Sequence, residues 1–145
     1  TAQFYKSKNL ETAGIAIDFW NKYEEDIKQM KNDLGINSFR LSIAWDRIQP
    51  SQNEWNNDAI NHYISIIKTC KKYGIEPIIT LQQYTIPVWF EKLKGFEKKE
   101  NNAYFVEFAK KMYLALYDQV TYWATFNAPE AYAIKCYAKG ENSPG

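Results

Sequence analysis

The polar side chains Arg40, Gln83, Tyr84 and Asn127 stand in or just after strand-like runs, where chemistry could be placed, and a methyl group, Ala128, stands beside the last of them. Tyr122-Trp123-Ala124-Thr125-Phe126 reads as a strand, and Asn127-Ala128-Pro129 as its junction with a following helix. Such junctions are where barrel and open-sheet α/β folds place their reacting groups. Arg40 lies in a second strand-like run, where a guanidinium would pair with a carboxylate such as Glu76 or Asp46. Gln83 follows a third run and can both donate and accept hydrogen bonds. Asn127 suits a helix N-cap ahead of Pro129, and Glu130 suits the helix start, where the dipole favours an acid. His62, the single histidine, sits in a helical run beside Asn61 and Tyr63 and reads as a packing or surface residue.

The elements that must carry these residues alternate in period. Phe19, Tyr23, Ile27, Met30 and Leu34 recur at steps of four and three, one face of an amphipathic helix closed by Gly35. A short alternating run, residues 38–43, follows. Asp58 starts a second helix bearing Ile60, Tyr63, Ile64 and Ile67 and ending at Gly74. Pro77-Ile78-Ile79-Thr80-Leu81 is nearly all apolar, as in a parallel strand covered on both faces. Pro87 fits the first turn of a short helix over residues 88–93, and residues 95–102 form a polar loop expected to be mobile. Phe105, Phe108, Met112 and Leu116 mark a long helix before the strand at 121–126, and residues 130–137 a last one. With residues 1–5 as the first strand, the order is βαβαβαβα, which implies right-handed crossovers and a parallel sheet. Periodicity leaves open whether this is half of an eight-stranded barrel or a small open sheet. A half barrel would leave two unpaired strand edges.

A length of 145 residues holds one cored domain. Eighteen basic and 17 acidic side chains nearly cancel, which argues against nucleic-acid and membrane-surface partners. The lysines of residues 92–99 are interleaved with Glu91, Glu97 and Glu100, a solvated surface. Cys70 and Cys136 stand in no metal or redox spacing. No cofactor or metal is expected, and a reducing, cytoplasmic setting is favoured. No apolar run is long enough to span a bilayer.

Five segments together resemble the family 1 glycoside hydrolases, the β-glucosidase and 6-phospho-β-glucosidase family. They are Tyr23-Glu24-Glu25-Asp26-Ile27 with Met30-Lys31; Ser-Phe-Arg-Leu-Ser-Ile-Ala-Trp-Asp-Arg-Ile over residues 38–48; Tyr-Gly-Ile-Glu-Pro-Ile-Ile-Thr-Leu over 73–81; Thr125-Phe126-Asn127-Ala128-Pro129; and Tyr137-Ala138-Lys139-Gly140 with Pro144-Gly145. They cover almost all of this chain, but only the first third or so of a family catalytic domain. The resemblance implies a parallel (βα)4 half of a TIM (β/α)8 barrel, built as a single truncated domain over residues 1–145.

The resemblance also implies roles, residue by residue. Ala128 stands at the position of the family's general acid/base glutamate, so no catalytic residue is expected here. A retaining glycosidase needs two carboxyl groups roughly 5–5.5 Å apart, and the strand bearing the second is absent. Glu130 is two residues on, turned roughly 200° away on a helix. Arg40 matches the arginine that orients the nucleophile, and Asn127 a sugar-contacting asparagine. In Leu81-Gln82-Gln83-Tyr84-Thr85-Ile86-Pro87, Gln83 replaces a sugar-binding histidine, and Tyr5 falls where the family has a sugar-bracketing glutamine. Trp45, Trp89 and Trp123 either stack on a pyranose ring or belong to the core. A β-glucoside-type carbohydrate is the implied ligand. The implied assembly is a homo-oligomer or a pair with a complementing half-barrel chain. Three functions stay open: an inactive binding or interaction scaffold, a fragment of a retaining β-glycosidase, and a sugar-sensing module.

Overall fold

The structure, a computed structural model, describes residues 8, 9, 11 and 14–142. Three strands form one parallel sheet in chain order: β1 (Ser38–Ser42), β2 (Glu76–Gln82) and β3 (Tyr122–Phe126). Arg40 pairs in register with Ile78, Ser42 with Thr80, Thr80 with Ala124 and Gln82 with Phe126. Among the described residues the sheet therefore has three strands rather than four, and the expected strand at residues 1–5, with Tyr5, lies outside them. The central strand β2 is buried from Ile79 to Gln82, as its apolar run requires.

Helix α1 (Phe19–Asn32) buries Ile27, with Phe19, Tyr23 and Met30 packed against the core. Leu34, expected on that face, is 71% exposed because the helix ends two residues before it. The stop is made by Gly35 (φ 64°), whose N–H donates to Lys31 O at 3.1 Å while Ile36 N–H donates to Met30 O at 2.9 Å. A left-handed residue costs glycine nothing and satisfies the last carbonyls. After β1 the chain makes a short helix that periodicity did not signal, α2 (Trp45–Ile48), which turns Trp45 and Ile48 fully inward.

Helix α3 (Asn57–Lys72) starts one residue earlier than expected, because the Asn56 side chain accepts from Ala59 N–H at 3.0 Å. It packs on α1, on β2 and on α5 (Asn102–Leu116). Between β2 and α5 run α4 (Val88–Lys92) and two 3₁₀ turns, Gly95–Glu97 and Lys99–Asn101. The mobile loop expected over 95–102 is tied down by Asn101, a buried side chain donating to Leu93 O and Gly95 O at 2.8 and 2.9 Å. After β3, the single helix expected over 130–137 divides into α6 (Pro129–Tyr132) and a π-helical segment, Ala133–Ala138. The wider turn brings residues five apart together, so the rings of Tyr132 and Tyr137 meet at 5.6 Å.

Trp45 is the hub of the core. Its ring touches those of Trp89, Phe90, Phe96, Phe105 and Phe108 at centroid distances of 4.6 to 6.4 Å. That cluster fastens α2, α4, the 3₁₀ turns and α5 to one another and leaves the closing ends of the strands to carry polar groups.

Candidate active site

Register decides which side chains meet. With β1 to β3 parallel and in step, the closing ends of all three lie together, and two hydrogen bonds cross between them. Arg40 Nη2 donates to Asn127 Oδ1 at 2.6 Å, bridging β1 to the end of β3 over β2. Ser42 Oγ donates to Gln83 Oε1, bridging β1 to the end of β2. The main chain joins the same place, since Asn127 N–H donates to Gln82 O at 2.9 Å. A cavity of about 370 Å³ opens here, lined by Ser42, Ile43, Ala44, Gln83, Tyr84 and Thr85. That volume falls in the range of small-molecule sites.

Two of the ends carry strained backbone. Tyr84 has φ 58° and Ala128 φ 45°, both left-handed and neither glycine. Each such residue costs on the order of 1–3 kcal/mol, and strain of this kind concentrates at functional sites. The Tyr84 ring meets Tyr132 edge-on at 5.8 Å, which anchors one wall of the site on α6. Next to it, Gln82 is 2% exposed, with both amide atoms lacking a hydrogen-bond partner among the described residues. Thr80 Oγ1, on the same strand, is likewise buried and unpaired. An unmade buried hydrogen bond costs about 1–3 kcal/mol. Gln82 and Ser42 were not singled out from sequence. A polar side chain closing an apolar strand run was the available signal.

Several ordinary readings of these residues give way. Arg40 pairs with neither Glu76 nor Asp46: Lys71 holds Glu76 at 2.7 Å, and Asp46 opens α2 beside Arg47. Asn127 is not the N-cap of α6, because Ala128 occupies that place and offers no capping side chain. The asparagine oxygen is turned to Arg40 instead. Glu130 sits in the first turn of α6, exposed. Trp45 is core; Trp89 and Trp123 are half-buried, their indole N–H groups donating to Gln49 O and Val120 O. His62 Nε2 is 2.8 Å from Trp20 O, and its ring stacks on Trp20 at 3.9 Å, a packing role as expected.

Both cysteines are free and buried. Burial pushes the Cys70 thiol up to about 11 and raises that of Cys136 too, so neither is a ready nucleophile. Tyr132 and Tyr137, whose hydroxyls are buried, are raised above the ordinary phenol range, chiefly by burial. Among the described residues, no three His, Cys, Asp or Glu side chains come together as a metal site, and no helix is long and apolar enough to cross a membrane.

The profile of glycosyl hydrolase family 1 matches residues 2–145. The chain is 34% identical over 144 residues to "Beta-glucosidase 34" of Oryza sativa subsp. japonica, covering 98% of this chain and 28% of that protein. It is 36% identical over 143 residues to "6-phospho-beta-galactosidase" of Clostridium acetobutylicum, covering 98% and 30%. Among solved structures it superposes on the psychrophilic β-glucosidase BglU of Micrococcus antarcticus with a TM-score of 0.89 at 32% identity, over 93% of this chain and 29% of that one. The β-glucosidase of Thermotoga maritima in complex with castanospermine gives 0.85 at 30% identity, over 88% and 29%. The chain belongs to glycosyl hydrolase family 1. It spans less than a third of the length of these relatives, and its parallel α/β fold is that of the matching portion of their structures.

Proposed function

We propose that this chain is a catalytically inactive β-glucosidase-like protein: a (βα)4 half of a (β/α)8 barrel, one domain over residues 1–145. In this reading it holds a β-glucoside-type carbohydrate at its strand ends and associates through its open flanks. One observation carries the proposal. At the strand-end position where the family motif has its acid/base, the side chain is the methyl group of Ala128, which has no proton to give a departing alcohol. Arg40, Gln83, Tyr84 and Asn127 are the substrate-contacting residues: Arg40 is bonded to Asn127, Gln83 accepts from Ser42, and Gln83 and Tyr84 line the cavity. The reading includes a cytoplasmic setting, in keeping with two unpaired buried thiols.

The test is hydrolysis of an aryl β-glucoside by the purified chain and by Ala128→Glu. Neither should turn over substrate above buffer, because one restored carboxyl still lacks its partner. Turnover by the unaltered chain would sink the proposal. Quenching of tryptophan fluorescence by millimolar glucose tests the binding half of the reading.

A second reading has its own support: the chain is a fragment of a retaining β-glycosidase whose remaining strands come from another polypeptide. The outer flank of α5 favours it, with Val106, Tyr113, Leu114 and Tyr117 all more than half exposed. With Leu81, Ala109, Lys110 and Trp123, Val106 and Tyr113 line an apolar groove of about 500 Å³. A helix apolar on two faces is built to be covered twice. A neighbouring reading frame encoding further strands with a Thr-Glu-Asn-Gly-like motif would decide for the fragment. A concentration-dependent dimer in sedimentation would decide for self-association.

A further inference from the structure

Among the polar groups that line the strand-end cavity, Gln83 differs in having a fixed direction. The Tyr84 and Thr85 hydroxyls can turn to donate or to accept, so they impose no polarity on a ligand. Gln82, the neighbour of Gln83 in sequence, is 2% exposed and lies outside the lining. A primary amide is different: its oxygen only accepts and its nitrogen only donates, so tethering one end decides what the other offers. Ser42 Oγ donates to Gln83 Oε1, and the end of Gln83 left for the cavity is the Nε2 amino group.

Both partners are anchored through their backbones. Ser42 is paired in register with Thr80, and the following Ile43 N–H donates to Thr80 O at 2.9 Å. Gln83 O accepts from Thr85 N–H at 2.6 Å across Tyr84, the left-handed residue with φ 58°. The strained turn thus fixes where the Gln83 side chain starts, and Ser42 fixes where it ends. A glutamine side chain is long and rich in rotamers, and ordering it during binding costs affinity.

We infer that Ser42 is a positioning residue, which holds Gln83 already ordered with Nε2 toward the cavity. At this position a ligand oxygen is then recognised by its lone pairs, and a hydroxyl proton on that oxygen is not required. The sugar oxygen that meets Gln83 can therefore be an ether as well as a hydroxyl, so a sugar alkylated there is a ligand too. The inference rests on the reading of these strand ends as a carbohydrate site.

The full chain, Ser42→Ala and Ser42→Thr test it by NMR of the Gln83 side-chain amide and by titration with methyl β-glucoside and its monomethyl ethers. Without ligand, the amide should be rigid in the unaltered chain, mobile in Ser42→Ala, and rigid again in Ser42→Thr, which keeps the hydroxyl. Methyl β-glucoside should bind Ser42→Ala about fivefold more weakly than the unaltered chain, and Ser42→Thr within about twofold of it. One ether should bind the unaltered chain about as tightly as the parent sugar. Gln83→Glu, which offers only acceptors, should lose that ether while keeping more of the parent, whose hydroxyl can donate. An amide equally rigid in Ser42→Ala, or a parent sugar bound equally well by it, overturns the inference and leaves the carbohydrate site standing. Loss of every ether overturns it too, because a ligand proton is then needed at each oxygen. Absence of sugar-induced shifts at residues 42–44 and 83–85 of the unaltered chain overturns the carbohydrate reading itself. The ether comparison and the rigidity of the unaltered amide keep the test decisive if Ser42→Ala folds poorly.

Discussion

At position 128 the backbone is left-handed and the side chain is a methyl, so the strand-to-helix turn carries no titratable group at that residue. Arg40 and Asn127 then hold each other in place, an exposed pair whose contribution to stability is expected to be small. Buried residues behave differently. Trp45 has no exposed surface and sits among five aromatic rings, so Trp45→Ala should cost about 3–5 kcal/mol in chemical denaturation. Cys70 gives a pH signature. Its folded pKa, about 11, lies above the unfolded value of roughly 8.5. The unfolded chain therefore releases the thiol proton first as pH rises. The contribution, on the order of 3 kcal/mol, is complete below about pH 8 and is lost as pH climbs toward 11. Urea midpoints taken across that range should fall, and fall less for Cys70→Ala. Cys136 and Tyr63, also raised by burial, add to the decline in the same direction.

The helices are held at their ends by features a sequence shows plainly, and at their faces by features it shows only in part. Gly74 (φ 65°) closes α3, and a Cβ there would meet nothing within 4 Å. Gly74→Ala should therefore cost only the left-handed backbone, about 1–2 kcal/mol. Gly95 (φ 45°) is buried, and its Cβ would approach the Tyr137 hydroxyl at 3.3 Å, so Gly95→Ala should cost more. Thermal midpoints of the two variants check the order. On α5 the inner stripe of Phe105, Phe108, Met112 and Leu116 was legible from its spacing, and all four are buried. The outer stripe of Val106, Tyr113, Leu114 and Tyr117 has no such periodic signature, because a second apolar face stands out only once the first is seated against a core. Phe108→Ala should destabilise by about 3–5 kcal/mol. Tyr117→Ala, at a position 59% exposed, should change stability by less than about 0.5 kcal/mol.

Across the whole molecule, the sheet is unevenly protected. Among the described residues β2 is bonded on both sides, whereas β3 pairs with β2 alone. Amide hydrogen exchange should be at least about tenfold slower in β2 than in β3, as stability is distributed by burial and pairing. Equal protection would mean that the free edge of β3 is already covered in solution. The same measurement bears on assembly, since covering the outer flank of α5 would slow exchange there with rising protein concentration.

Composition, periodicity and five short motifs were enough to give the family and the parallel α/β class, because each depends on spacing along one strand or helix. Local spacing could not give the partners of side chains far apart in the chain. Arg40 was a candidate to pair with Glu76 or Asp46, and Asn127 to cap a helix. They meet each other instead, 87 residues apart, because the register of three strands brings those ends together. The short helix that buries Trp45, the ordered turns around Asn101 and the π-helical segment after α6 share that cause. Each is fixed by contacts across the fold, and tertiary packing overrides what the local sequence prefers.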